Sequence, residues 1–130
     1  TIYYDNNQTV SGGVSLSDHD ILGIALDMDN NRLFLHKNGT YINSGDPTSS
    51  TGNVLTFTNA SQYLTNHEEM FFFVADTSTS GAAYSAVNFG NGYFDTTAVS
   101  SAGTNASGNG IFEYDVPAGY TALSTKGLNL

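Results

Sequence analysis

The run from Asp20 to Gly39, DILGIALDMDNNRLFLHKNG, constrains the fold more than any other part of the chain. Its first half, Ile21 to Met28, is apolar at almost every position, which is typical of a strand buried on both faces. The triplet Asp29-Asn30-Asn31 follows, and these residue types tolerate the positive φ that a tight hairpin turn requires. Arg32 to His36 then resumes as a second strand and ends at the turn Asn38-Gly39. The run therefore predicts antiparallel strands joined by tight turns, and it contains no motif that suggests catalysis.

The rest of the chain continues as short apolar runs separated by Gly, Asn, Asp and Ser, which predicts an all-β fold. Helix signals are nearly absent, apart from one short turn expected within Asn59–Leu64. Long polar stretches predict three loops, at Asn43–Asn53, Asp76–Ala82 and Thr96–Gly110. The predicted strands are Ile2–Tyr4, Val14–Leu16, Ile21–Met28, Arg32–His36, Val54–Phe57, Met70–Ala75, Ala83–Phe89, Ile111–Tyr114 and Tyr120–Leu123.

Length and composition are typical of one small globular domain. A chain of 130 residues buries roughly two-thirds of its unfolded surface on folding, which is enough for a real core. The absence of Cys excludes disulfides and thiolate metal sites. Only 12% of the residues are charged, so Ser, Thr, Asn and Gly must supply solubility. That composition is common in extracellular and virion β-proteins.

The charge balance excludes two classes of partner. Three basic and twelve acidic residues give a net charge of −9. Such a surface repels phosphate backbones and anionic lipid, so we expect neither nucleic-acid binding nor docking on a membrane. No apolar run approaches the roughly 20 residues that a membrane-spanning helix requires. The sequence therefore predicts no membrane insertion.

Two alternating acidic residues suggest a metal site, although only weakly. Asp27, Asp29 and Asn31 are spaced like the start of a calcium-binding loop. Such a loop needs Gly at its sixth position and an acidic ligand at its twelfth, and Arg32 and Asn38 stand there instead. The triplet is better explained as a turn. We therefore expect no metal or other cofactor, and Asp27 and Asp29 remain weak metal candidates.

Paired carboxylates give little support to catalysis. Glu68 and Glu69 are adjacent, so on a strand they would point to opposite faces. Glu113 and Asp115 do alternate and could form a hydrolytic pair, provided that the carboxyl groups lie about 5 Å apart on a concave face. The three histidines show no spacing typical of a metal site. We therefore predict no catalytic residues and no enzyme.

Exposed aromatic residues are the better candidates for function. Most of the Phe and Tyr residues are expected in the core or at its rim, because aromatic side chains dominate burial in a small sandwich. Tyrosines left on the surface bind well, since they offer a large contact area at low entropic cost. The candidate binding residues, expected on the loop surface, are Tyr3, Tyr4, Tyr41, Tyr63, Asp76 and Tyr93.

Three segments, in order along the chain, resemble the SPRY (B30.2-like) domain. The hairpin run resembles the family pattern G-D-x-I-G-x-x-L-D-x-D-x-x-x-L-x-F-x-x-N-G. Ala86–Gly90 with Tyr93-Phe94 resembles its V-x-x-N-F-G-x-x-P-F segment, although Tyr93 stands where the family usually has Pro. Pro117–Leu123 resembles its closing P-x-G-[FY]-x-A-L. Within the hairpin run the matching residues are Asp20, Ile21, Gly23, Leu26, Asp27, Asp29, Leu33, Asn38 and Gly39.

The resemblance implies an antiparallel jelly-roll-like β-sandwich of the concanavalin A-like type, forming a single domain over residues 1–130. The first third of the family's sandwich has no counterpart before the hairpin. We therefore expect the chain to be a fragment or the C-terminal part of a larger chain, or to be completed by a neighbouring subunit. An incomplete sandwich has open strand edges, which favour pairing with another chain, including a second copy.

The ending GYTALSTKGLNL is most similar to SPRY-like modules of phage and environmental-virus structural proteins. The resemblance implies a non-catalytic recognition or structural module on a virion or in an extracellular setting. Its partners would be other virion subunits, or a protein or glycan on a host surface. Two alternatives are a lectin-like carbohydrate-binding module and a degraded glycosidase that depends on Glu113.

Overall fold

The computed structural model of the protein describes residues 2–4, 7–10, 14–57 and 85–123. Every strand pair within these ranges is antiparallel, and their only helix is the 3-10 turn Ile42–Ser44. The described part of the chain is therefore all-β, as predicted. No helix in it is long and apolar enough to span a membrane. The strands are β1 (Ile2–Tyr4), β2 (Asn7–Val10), β3 (Leu22–Asp27), β4 (Arg32–Lys37), β5 (Thr40–Tyr41), β6 (Leu55–Thr56), β7 (Tyr93–Phe94) and β8 (Thr97–Ala98).

The hairpin of β3 and β4 confirms the central prediction from the sequence. The two strands pair in register from Leu22 opposite Lys37 to Asp27 opposite Arg32. Asn31 adopts a φ of 56° in the connecting turn, a value that Asn tolerates better than most residues. The Asp27 carboxylate accepts hydrogen bonds from the backbone N and the Nδ2 of Asn30 at 2.9 and 2.8 Å. The residues Asp29-Asn30-Asn31 thus form the turn that connects β3 to β4.

The larger sheet has the order β3-β4-β5, and β6 also pairs with β4. The turn Asn38-Gly39 joins β4 to β5, and both of its residues have positive φ, 49° and 83°. The pairs β1–β2 and β7–β8 form two further two-stranded sheets. The predicted strand Ile2–Tyr4 is confirmed, and β6 is a shorter form of the predicted Val54–Phe57.

Side chains on both faces of β4 are buried and form part of the core. Leu33 packs with Leu55 and Phe57 on one face, while Phe34, opposite Ala25 on the other face, is only 1% exposed. Strand β3 differs, because Leu22 and Ile24 are 37% and 45% exposed. The expectation that this strand is buried on both faces is therefore wrong, because the face that carries Leu22 and Ile24 is partly exposed.

Apart from the short β7–β8 pair, residues 85–123 are held together by isolated hydrogen bonds instead of ladders. Ile111 N donates to Gly90 O, whereas Phe112 O accepts from Gly103 N, so successive residues bond to different segments. The Asn88 side chain bridges two of these segments, accepting from Gly90 N at 2.7 Å and donating to Ile111 O at 2.9 Å. Continuous strands therefore do not form there.

This arrangement corrects several predicted strands. Residues 14–16, 85–89, 111–114 and 120–123 form no strand, because no ladder of hydrogen bonds runs along them. The predicted strand Met70–Ala75, the turn within Asn59–Leu64 and the loop Asp76–Ala82 lie outside the described residues.

Candidate functional site

A cleft of about 490 Å³ opens between the β4–β5 hairpin and two segments of the second half of the chain, residues 101–104 and 113–115. The hairpin brings the ring of His36, Gly39 and the ring of Tyr41. The second half brings two acidic side chains and another tyrosine. The lining residues are His36, Gly39, Tyr41, Ser101, Ala102, Gly103, Thr104, Glu113, Tyr114 and Asp115.

The imidazole of His36 lies at the centre of the aromatic side of this cleft. Its ring centroid is 5.3 Å from that of Tyr41 and 5.5 Å from that of Tyr114, and both contacts are edge-to-face, at 75° and 78°. The ring also covers Gly23, where a Cβ atom would lie 1.8 Å from Nε2. His36 Nδ1 accepts a hydrogen bond from Gly39 N at 3.1 Å. The imidazole is therefore held by two rings, one backbone surface and one hydrogen bond.

These contacts set the protonation state of His36. Burial lowers the pKa of the imidazole below its ordinary value of 6.5. An Nδ1 atom that accepts from a backbone N–H carries no proton, which assigns the single proton of the neutral ring to Nε2. At neutral pH the centre of the cleft is thus an uncharged ring.

Gly39 has two structural roles at this site. Its φ of 83° lies in the left-handed region, which favours glycine, and the turn requires it. A Cβ atom there would also lie 2.8 Å from Cδ1 of Tyr114. The same residue therefore closes the β4–β5 turn and lets the ring of Tyr114 approach the backbone.

The neighbouring turn residue is fixed by an ionic network. Asn38 Oδ1 accepts from Ile21 N at 2.8 Å, and its Nδ2 donates to Asp20 Oδ1 at 2.6 Å. Lys37 Nζ lies 2.7 Å from Asp20 Oδ2. The hydrogen bond from Lys37, with others from Ser17 and Asn38, lowers the pKa of Asp20 to about 2. Because these contacts reach back to the start of β3, the hairpin presents the cleft residues on a braced turn.

Two ionised carboxylates line the other side of the cleft. Glu113 accepts hydrogen bonds from Ser100 Oγ and, at 2.6 Å, from Ser100 N. Asp115 Oδ1 accepts from Thr104 N at 2.7 Å. The bonds from Ser100 lower the pKa of Glu113, and those from Thr104 lower the pKa of Asp115. Both groups are therefore fixed negative charges at neutral pH.

Tyr41 contributes a neutral phenol to the aromatic side of the cleft, beside His36. Burial raises its pKa to about 12, with smaller contributions from Tyr120 and Asp46. The residue faces His36 because the turn Asn38-Gly39 pairs it directly with that strand position. The register of the two-residue strand β5 thus places one of the two tyrosine rings that contact His36.

A second cleft, of about 370 Å³, contains the two weak metal candidates Asp27 and Asp29. Burial would raise the pKa of Asp27, but hydrogen bonds from Asn30 and Ser50 outweigh it and lower that pKa. The Ser50 Oγ bond measures 2.7 Å. Tyr120 closes this cleft by donating from its hydroxyl to Pro47 O at 3.3 Å. Among the described residues, no three His, Asp or Glu side chains lie close enough together to hold a metal ion.

The structure brings one of the candidate binding residues, Tyr41, into the first cleft. Tyr93 is 48% exposed on β7 but lines neither cleft. Tyr3 and Tyr4 lie on β1, and their side chains fall outside the description. Tyr63 and Asp76, together with the Glu68–Glu69 pair, also lie outside the described residues.

Sequence reasoning missed His36 and Tyr114 as site residues. His36 could have been found from the Asn38-Gly39 turn, because that turn fixes the register in which His36 stands opposite Tyr41. No comparable signal marked Tyr114, which reaches His36 from 78 positions further along the chain. For Glu113 and Asp115 the sequence suggests only a hydrolytic pair.

No family model, curated protein or solved structure matches this chain.

Proposed function

We propose that the protein is a non-catalytic recognition module whose ligand binds in the cleft around His36. The observation that carries this proposal is the convergence of three rings and two carboxylates on one open cleft, each already held in place. Tyr41 and Tyr114 flank the imidazole, and Glu113 and Asp115 are fixed by hydrogen bonds. Side chains that are ordered before the ligand binds lose little entropy on binding, which favours affinity.

The protonation states favour binding over acid–base chemistry. A carboxylic acid that donates a proton near neutral pH needs a raised pKa, whereas the pKa values of Glu113 and Asp115 are lowered. His36 Nδ1 already accepts from a backbone N–H. None of these groups is prepared for general acid catalysis, so a glycosidase mechanism is the weakest explanation of the cleft.

We extend the proposal to the setting in which the module works. The low charge content and three basic residues favour an extracellular or virion protein, and the SPRY-like motifs favour a jelly-roll-like sandwich. Exposed Leu22 and Ile24 on the β3 side of the sheet support completion by a neighbouring chain or a second copy. Other virion subunits or a host-surface protein are the proposed partners.

A lectin-like module is the second candidate, and the same cleft supports it. Aromatic rings beside hydrogen-bond acceptors suit a sugar, whose apolar face stacks on a ring while its hydroxyls donate to carboxylates. Tyr114 and Glu113 are the pair that would play these two parts. The candidates differ in ligand class, so one experiment separates them.

The test compares wild-type protein with Tyr114→Leu in two binding assays, one on a glycan array and one on a displayed random-peptide library. We expect ligands from one source to be retained by wild type and lost by the variant. Tyr93→Leu, which removes an exposed tyrosine outside both clefts, should bind like wild type. Thermal melts confirm that each variant is folded.

Absence of binding in both assays, or binding unaffected by Tyr114→Leu, would contradict the proposal. Cleavage of a bound oligosaccharide would replace it with the glycosidase hypothesis. Retention of glycans alone would favour the lectin.

A further inference from the structure

Among the described residues, the cleft around His36 carries negative charge with no basic side chain to balance it. The described lining includes the carboxylates of Glu113 and Asp115 but no Lys or Arg. The chain has three Lys and Arg residues in all, and one of them, Lys126, lies outside the described residues. Lys37 is already bonded elsewhere, because its Nζ lies 2.7 Å from Asp20 Oδ2 and donates to Ser15 O at 2.8 Å. Arg32 stands four positions from His36 on β4, roughly 13 Å away at the rise of a strand.

Aromatic rings adjoin these charges. Tyr41 and Tyr114 meet the imidazole edge-to-face and do not stack on it. Ring faces attract a cation that lies within about 6 Å of the centroid, and this attraction grows when water is excluded. Rings and carboxylates in one cleft therefore favour the same kind of ligand group, one with a positive charge and a broad apolar surface.

We infer that this cleft binds the side chain of an arginine or lysine presented by a partner protein. The inference rests on the proposed function and names the ligand class of its site. The hydroxyls of a neutral sugar can donate hydrogen bonds to the carboxylates, but a guanidinium adds the attraction of opposite charges and of the ring faces. The net charge of −9 would also steer a basic partner surface towards the module.

The size of the cleft agrees with this ligand. About 490 Å³ falls within the usual range of small-ligand sites, roughly 300–1,000 Å³. One long side chain with some water fits such a volume. A bare divalent cation fits less well, because only two of the described lining residues are acidic, while calcium takes 6–8 oxygen ligands.

The test is isothermal titration with capped pentapeptides that carry arginine, lysine, citrulline or glutamate at the centre. Citrulline keeps the shape of arginine and lacks its charge. We expect the arginine and lysine peptides to bind at least about fivefold more tightly than the citrulline peptide. Raising the salt concentration from 50 to 500 mM should shrink that ratio, because the charges of an open cleft are screened.

A pair of matched variants locates the effect. Asp115→Asn removes one charge while its Oδ1 still accepts from Thr104 N, so it should weaken the arginine peptide several-fold and leave the citrulline peptide unchanged. Asp95→Asn removes the same charge from the β7–β8 turn, where a φ of 55° suits Asn, and should change neither. Circular dichroism and melting curves verify the fold of both variants.

Equal affinity for the arginine and citrulline peptides would overturn the inference, as would equal weakening by the two variants. Binding of calcium in place of the peptides would overturn it too. If a glycan binds in a Tyr114-dependent way while no basic peptide binds, the inference fails and the proposed recognition function stands. If neither binds, both fail.

Discussion

Replacing Gly23 by alanine tests the packing beneath the cleft most sharply. The added Cβ atom would lie 1.8, 2.2 and 2.4 Å from Nε2, Cε1 and Cδ2 of His36. The imidazole cannot move away freely, because Tyr41 and Tyr114 flank it and Gly39 N donates to it. The substitution should therefore displace the whole ring.

The expected loss of stability follows from two costs. Overpacking a filled site costs about 1–3 kcal/mol, and losing the hydrogen bond between Gly39 N and His36 Nδ1 costs about 1 kcal/mol more. Gly23→Ala should therefore lower the free energy of unfolding by about 2–4 kcal/mol, or the melting temperature by roughly 5–15 °C for a chain of this size. Urea denaturation followed by circular dichroism measures this change.

A double-mutant cycle identifies the cause. In a His36→Ala background the obstructing ring is gone, and alanine is the better strand residue because glycine loses more backbone entropy on folding. Gly23→Ala should then be neutral or should stabilise the protein by up to about 1 kcal/mol. The reasoning is refuted if Gly23→Ala costs the same in both backgrounds.

Three further predictions concern the core, the pH response and self-association. Phe34→Ala should cost about 3–5 kcal/mol of unfolding free energy, because Phe34 is 1% exposed; a loss below 1 kcal/mol in urea denaturation would contradict its place in the core. Burial lowers the folded-state pKa of His36 below 6.5, so its contribution to stability is complete above about pH 6.5 and is lost as pH falls to that lower pKa. Urea midpoints between pH 7.5 and 5 should therefore fall more steeply for wild type than for His36→Asn, and equal slopes would contradict this. Ile24, 45% exposed on β3, should support concentration-dependent self-association in light scattering, and Ile24→Lys should abolish it; a wild type that stays monomeric at all concentrations would count against completion by a second copy.

The β3–β4 hairpin was predictable because its determinants are local. Asn31 and Asn38 supply positive φ at the two turns, and the apolar residues Leu33, Phe34 and Leu35 between them are all buried. Turn chemistry and pattern agreed there, so prediction and structure coincide within one or two residues. The exposed Ile24 was not predictable, because apolar content alone does not reveal which face of a strand is covered by other parts of the chain.

Predictions for residues 85–123 fail for a physical reason. The apolar runs there predict strands, yet the backbone of residues 111 and 112 bonds to two different segments. Side chains such as Asn88 supply the bonds that a ladder would otherwise provide. A pattern of alternating residues carries no information about such contacts, since they depend on which distant loops meet.

The cleft was predictable only in part, for the same reason. Tyr41 was named from its residue type, and its pairing with His36 follows from the Asn38-Gly39 turn. Glu113 and Tyr114 arrive from the second half of the chain, whose path the sequence did not predict. Together with the hairpin they line the cleft that we propose as a recognition site.

The most direct test of the cleft as the ligand site is proton NMR of the histidine rings. The chain has three histidines, so their Hε1 signals form a small, separable set, and His36→Gln identifies the one that belongs to the cleft. Titration with the arginine pentapeptide should shift the Hε1 signal of His36 progressively and leave that of His19, which does not line the cleft, nearly unchanged, while the citrulline peptide should have little effect. An unmoved His36 signal, or equal shifts with both peptides, would contradict the account.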